Sequence, residues 1–312
     1  MLLLGLCIHE QSSITIETIY RWLRLLSKIR SNTVEPEFVL RPVNVEPRSA
    51  SYFCSAKFTT TGPDLVWNSK TPLQPGHYAT FSMSAGWYCD VVFDTVRWPT
   101  FKEACASESA VAKRCEYPDW FDTQVRKRDG KCVITGTTTK PLATTWIVAP
   151  YFRGVVDYNV SAFPLPDDEN IFLTVKNGLT MRQDIADLFF NNDIAIDVDD
   201  DFRVIYMQEP SKLCSKELLP IIPSHISLPE DTPEDLRPDL CMLRWHLKYS
   251  LLANGAADDV MTYYGKDEIS AVLGELTGED GDEMQEWDNE LWQSPIGQLC
   301  LAWLLITKRM EQ

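Results

Sequence analysis

The chain has 312 residues, 45% hydrophobic and 24% charged, an ordinary balance for a globular protein with a sizeable core. Its formal net charge of −16 opposes non-specific, long-range attraction to nucleic acid. No run of about 18 apolar residues offers a membrane-spanning helix. Nine cysteines scattered without a C-x-x-C pair argue against a zinc knuckle and point to reduced thiols in an intracellular compartment.

In chain order, Met1–Ile8 is apolar but lacks a basic leading region and a small-residue cleavage site. It reads as a buried or frayed N-terminus rather than a secretory signal. Ser13–Arg30 predicts an amphipathic helix, with Ile16, Ile19, Tyr20, Leu23, Leu26 and Ile29 recurring at three and four residues and Ser13 and Glu17 supplying its start. From Pro36 to Asp94 the runs shorten to strand-like pieces between prolines: Phe38–Leu40, Ser51–Cys54, His77–Phe81 and Trp87–Phe93. Ala104–Lys113 reads as a helix. Lys131–Gly136 predicts a strand ending in a turn, with Thr144–Val148 as its partner, and a long loop from Pro150 to Asn170 follows. Asp184–Phe190 is a short helix, and Ala195–Asp197 pairs with Phe202–Tyr206 in a hairpin. Prolines 220, 223, 229, 233 and 238 then forbid continuous helix. Beyond them Leu240–Ala253, Ile269–Leu276 and Ile296–Lys308 read as helices.

The segment Arg126–Met207 carries the chemistry. It contains Arg128-Asp129-Gly130-Lys131-Cys132-Val133-Ile134-Thr135-Gly136, then Thr145-Trp146-Ile147-Val148-Ala149-Pro150. Next come Asn177-Gly178-Leu179-Thr180-Met181-Arg182-Gln183-Asp184-Ile185-Ala186-Asp187-Leu188-Phe189-Phe190. The order and spacing resemble the HNH endonuclease family, in the form found in many fungal proteins. That pattern is roughly R-D-G-x-C-x-x-T-G, A-H-I-x-P and N-G-L-x-L-x-x-D-x-H-x-L-F-D. The likeness covers about 113–209 well. It extends loosely over 236–275, through Leu236-Arg237-Pro238, Leu243-Arg244-Trp245-His246 and Leu251-Leu252-Ala253-Asn254.

The resemblance implies a ββα-metal core in which the first histidine takes a proton from water, the asparagine orients it and the last histidine helps hold a divalent metal. Here those three positions hold Trp146, Asn177 and Ala186. An indole nitrogen only donates, and a methyl group is no ligand. Loss of a general base alone costs about 10²–10⁴ in rate, so the matched positions predict a catalytically impaired protein, a pseudoenzyme. The alternative is a live endonuclease hydrolysing DNA phosphodiesters, with Asp184 or Asp187 holding Mg²⁺ or Mn²⁺. Against it, Asp184 reads as a structural residue at the helix start and Asp187 as a solvent-facing carboxylate. Trp146 reads as an aromatic filling the base's space, with stacking on a nucleobase as the weaker alternative. Asn177-Gly178 reads as a turn that needs positive φ.

Residues 113–153 hold eight Lys and Arg against four Asp and Glu. Arg126, Lys127, Arg128 and Arg182 are therefore the candidates for contact with phosphate, although a solvated charged face explains the surplus as simply. His246, beside Trp245 on an apolar helix, reads as a packing residue. The acidic run Glu279, Asp280, Asp282, Glu283, Glu286, Asp288 and Glu290 reads as a solvated face. No phosphate-binding, dinucleotide-binding or serine-hydrolase motif occurs.

The sequence thus predicts an intracellular α+β protein in three parts: a mixed region over 1–112, an HNH nuclease-like domain over 113–209, and a Pro-rich linker with acidic helices over 210–312. Its expected role is a nucleic-acid-associated or protein-interaction module with no resident cofactor and no membrane partner. The remaining alternative is a scaffold that never touches nucleic acid.

Overall fold

The computed structural model describes residues 14–26, 36, 38–47, 56–82, 99–107, 115–150, 172–228 and 232–254. These build an α+β fold of small antiparallel sheets and several helices. Helix α1 (Ile16–Leu26) forms within the predicted span and buries Ile16, Ile19, Tyr20, Trp22, Leu23 and Leu26. Its start is set by Thr15, whose Oγ1 accepts the Thr18 N–H at 3.1 Å, a capping bond of the kind expected from Ser13. Strands β1 (Phe38–Pro47), β2 (Ala56–Thr60) and β3 (Tyr78–Ser82) form an antiparallel sheet in the order β2-β1-β3. Tyr20 ties α1 to this sheet: its hydroxyl donates to Leu65 O and accepts the Leu40 N–H.

The second half contains α2 (Phe101–Ser107), α3 (Asp119–Asp129), β4 (Leu142–Trp146), β5 (Gly178–Arg182), α4 (Gln183–Phe190), β6 (Ile194–Asp197), β7 (Arg203–Tyr206), the single turn α5 (Pro210–Leu213) and α6 (Leu240–Asn254). Two expectations fail here. Lys131–Gly136 is not a strand: Gly136 N donates to Cys132 O at 2.8 Å and Gly136 sits at φ 69°, so the segment curls into a turn. The partner of β4 is β5 instead, in the register Thr144↔Thr180 and Trp146↔Gly178. Helix α3 was not foreseen. Its buried positions are only Phe121, Val125 and Asp129, four residues apart on one stripe with a charge at the third.

The β6–β7 hairpin is antiparallel as predicted, with Ile194↔Tyr206 and Asp197↔Arg203, and it separates two apolar clusters. Ile194, Ile196 and Val204 face a core shared with α2, α3, β4, β5 and α4. Ala195 and Ile205 face a second core with α1 and β1. Alternation along the strands directs neighbouring side chains to opposite faces. Helix α6 lies across both, giving Leu243, Trp245 and Tyr249 to the first core and Leu247 and Leu251 to the second. From Trp245 to Leu251 every residue of α6 is buried, so the helix carries no single apolar stripe. The segment after the hairpin joins the first core through Leu218, Ile222 and Ile226, so that core runs across residues 112/113 and 209/210 alike.

No helix among the described residues is long and apolar enough to cross a membrane. Met1–Ile8, Ser51–Cys54, Trp87–Phe93, most of the loop from Pro150 to Asn170, Ile269–Leu276, the acidic run 279–290 and Ile296–Lys308 lie outside the described residues.

Candidate functional site

The motif-bearing residues converge on β4, β5 and the helices α3 and α4, both of which pack against that strand pair. Trp146 ends β4 and is fully buried. Its ring lies 3.9 Å from that of Phe121 and 5.4 Å from that of Tyr117, and its Nε1–H donates to Cys115 O at 2.9 Å. It is a core aromatic whose one polar group is already spent, with no face left for a nucleobase. Tyr117 covers it, showing 43% of its surface to solvent. Burial of the hydroxyl end pushes the Tyr117 pKa up to about 12.

Asn177 is also fully buried. Its Nδ2–H donates to Val148 O at 2.7 Å and to Phe172 O at 2.8 Å, while its Oδ1 accepts Val148 N–H at 2.9 Å. The side-chain amide therefore clamps the chain leaving β4 to the chain approaching β5, and no donor remains to orient a residue at position 146. Gly178 is not in a positive-φ turn; its φ is −134°. A Cβ there would stand 2.5 Å from Phe121 Cζ and 2.8 Å from Val125 Cγ2, so glycine is required by the close approach of α3.

Ala186 faces the first core from α4 and is 4% exposed. Asp184 lies in the first turn of α4, where its Oδ1 accepts the Ile185 N–H and both carboxylate oxygens accept from Arg182. Asp187 is exposed and accepts from Gln183 Nε2 at 3.0 Å. The motif positions do not fit Mg²⁺ or Mn²⁺. An indole N–H and a methyl group offer no lone pair to a hard cation, and the Asp184 carboxylate is held by the Arg182 guanidinium.

Three of the four candidate cations lie on α3, where the helical period turns successive side chains by about 100° and so disperses them. Lys127 is exposed. Arg126 is partly exposed and pairs with Asp122, which also accepts the Thr144 hydroxyl. Arg182 sits at the end of β5, paired with Asp184. Arg128 points inward with a side chain only 2% exposed. It forms a bidentate pair with Asp129 and donates to Val175 O, Gly178 O and Leu236 O. Its guanidinium is consumed inside the protein and presents nothing to phosphate.

Sequence reasoning missed Trp120, which is 38% exposed on α3 and lies two turns before Lys127 on the same face. It also missed Cys105 and Cys115, whose sulfurs meet. No short motif announces either. Comparison with protein-family models, with curated proteins and with solved structures finds no match.

Proposed function

We propose that this chain is a disarmed HNH-nuclease-like protein, of the form found in fungal proteins, that acts as a nucleic-acid-associated or interaction module rather than a catalyst. The observation that carries the reading is a division of labour among the motif residues. Arg128, Asp129, Gly130, Cys132, Gly136, Asn177 and Gly178 match the pattern, and each has a structural task in clamping, turning or close packing. The two histidine positions instead hold a buried indole and a buried methyl group. A scaffold kept while its reactive groups are replaced by core residues is what loss of catalysis leaves behind. The chain order β4, β5, α4 supports reading these three elements as a ββα unit.

Contact with nucleic acid would run along the exposed face of α3, where Trp120 offers a stacking surface and Lys127 and Arg126 offer charge. Intracellular placement, expected from the scattered thiols, suits such a partner. A protein partner is the second reading, favoured by the net charge of −16. Binding of the purified chain to a labelled DNA or RNA duplex across a salt series separates the two, since phosphate contacts give a steep salt slope and a protein scaffold gives no binding. Plasmid nicking by the natural chain in Mg²⁺ or Mn²⁺, abolished by chelator, would overturn the reading altogether.

A further inference from the structure

Cys105 lies in the last turn of α2 and Cys115 in the turn leading to α3. Their Sγ atoms stand 3.0 Å apart, and both side chains are only partly buried. Among the other described cysteines, Cys132 and Cys214 are buried and Cys241 is exposed. Two sulfurs in contact at a partly exposed place suit three ends: a metal site, an inert packing contact or a disulfide. Among the described residues no group of three His, Cys, Asp or Glu side chains could hold a metal ion. Inert packing is typical of buried thiols, whereas reactive ones are reachable from solvent.

We propose that Cys105 and Cys115 form a reversible disulfide by exchange with a low-molecular-weight disulfide of the glutathione class. The Cys105 thiolate attacks one sulfur of oxidised glutathione, so a Cys105–glutathione bond forms and the original S–S bond breaks. The first glutathione leaves as a thiolate and takes up a proton. Cys115 then gives up its proton and attacks Cys105 Sγ, and the second glutathione leaves. Two protein thiols are oxidised and one glutathione disulfide is reduced to two thiols. The hydrogen bond with Cys115 draws the Cys105 thiol below the usual range, against burial acting the other way, which favours Cys105 as the opening nucleophile.

The bond would join two parts of the first core. Helix α2 is anchored there by Phe101, and the carbonyl of Cys115 receives the indole N–H of Trp146. Oxidation therefore fixes the backbone that holds Trp146 and, two residues on, Tyr117. The device controls the rigidity of the region beside α3.

The test is a redox titration of the full-length protein in buffers of graded reduced-to-oxidised glutathione ratio, followed by acid quench, alkylation and peptide mass mapping. The expected result is a pair of peptides joined through Cys105 and Cys115, two hydrogens lighter than the separate thiols. It should rise in a single transition and disappear with dithiothreitol. The Cys105→Ser variant should lose the linked peptides, and Cys115 should then be recovered as a thiol or a glutathione adduct. An unfolding temperature several degrees higher for the oxidised than for the reduced natural protein would accompany closure of the bond. Recovery of both residues as thiols in the most oxidising buffer, or their linkage to other cysteines instead of to each other, overturns the proposal.

Discussion

The carboxylate of Asp129 accepts the backbone N–H of Thr180 at 2.7 Å, joining the end of α3 to the middle of β5. The same carboxylate is gripped by Arg128, the preceding residue, whose other donors hold Val175 O and Gly178 O on either side of Asn177. Gly130 follows at φ 64°, ending α3 with a bond from its N–H to Arg126 O. The Arg-Asp-Gly triplet is thus a three-part fastening between a helix and the strand it packs on.

Asp129→Asn should be among the most damaging single substitutions in the protein. An amide in place of the carboxylate leaves the buried guanidinium of Arg128 without its counter-charge, a change that typically costs about 3–5 kcal/mol. Arg128→Lys should also destabilise, because a single ammonium cannot reach two carbonyls and a bidentate carboxylate together. Urea unfolding of both variants checks this; a loss under about 1 kcal/mol for Asp129→Asn would mean the pair is solvated in solution.

Gly178→Ala separates two explanations of one glycine. If the residue served a turn, alanine at φ −134° would be harmless. The close approach of Phe121 and Val125 predicts instead an overpacking cost of about 1–3 kcal/mol. Phe121→Leu, which removes the ring that would meet the new methyl group, should then cost less when combined with Gly178→Ala than in the natural chain. Additive effects in this double-mutant cycle would count against direct contact.

Elements whose own periodicity matches their burial were legible in the sequence. Helix α1 shows a clean apolar stripe, and β6–β7 places two short runs around an acidic turn. Helix α3 was hidden because its third inward position is Asp129, a charge satisfied by the neighbouring Arg128 and by the Thr180 N–H from a strand distant in sequence. The partner of β4 was misassigned because local alternation cannot choose between Lys131–Gly136 and Gly178–Arg182. That choice depends on the turn bond at Gly136 and on the long-range fit of α3 over Gly178. At the site, chemical identity showed which groups Trp146 and Ala186 cannot replace. It could not show that Asn177 spends its whole side chain on Val148 and Phe172, nor that Arg128 faces inward.

Re-arming the matched positions tests whether they lie about one site. The natural chain should leave supercoiled plasmid intact in Mg²⁺ or Mn²⁺. The Trp146→His/Ala186→His double variant should gain nicking that chelator abolishes, while either single variant should not. Because Trp146 is a large, fully buried side chain, the double variant should also unfold at lower urea, so cleavage is to be read only where circular dichroism shows the fold retained. A folded but silent double variant would mean that positions 146 and 186 do not converge on one phosphate, and the likeness to the nuclease family would lose its principal support.

His246 sets an acid limit on the fold. Its ring lies flat on Phe189 at 3.7 Å and donates from Nε2–H to Phe189 O at 3.0 Å, while Nδ1 is buried with no hydrogen-bond partner. Burial drives its pKa down to about 3, with the bond to the carbonyl acting weakly the other way. The unfolded chain takes up this proton near the ordinary histidine value of about 6.5, and the folded chain refuses it. Stability from this group is therefore fully present above about pH 6.5 and falls as pH drops toward 3, by up to about 1.4 kcal/mol per pH unit. Urea midpoints measured between neutral pH and mild acid should decline more steeply for the natural protein than for His246→Leu, which has nothing to protonate at that position. Equal slopes in the two proteins would mean that the imidazole reaches water or a proton acceptor in solution and that its burial does not govern the acid response.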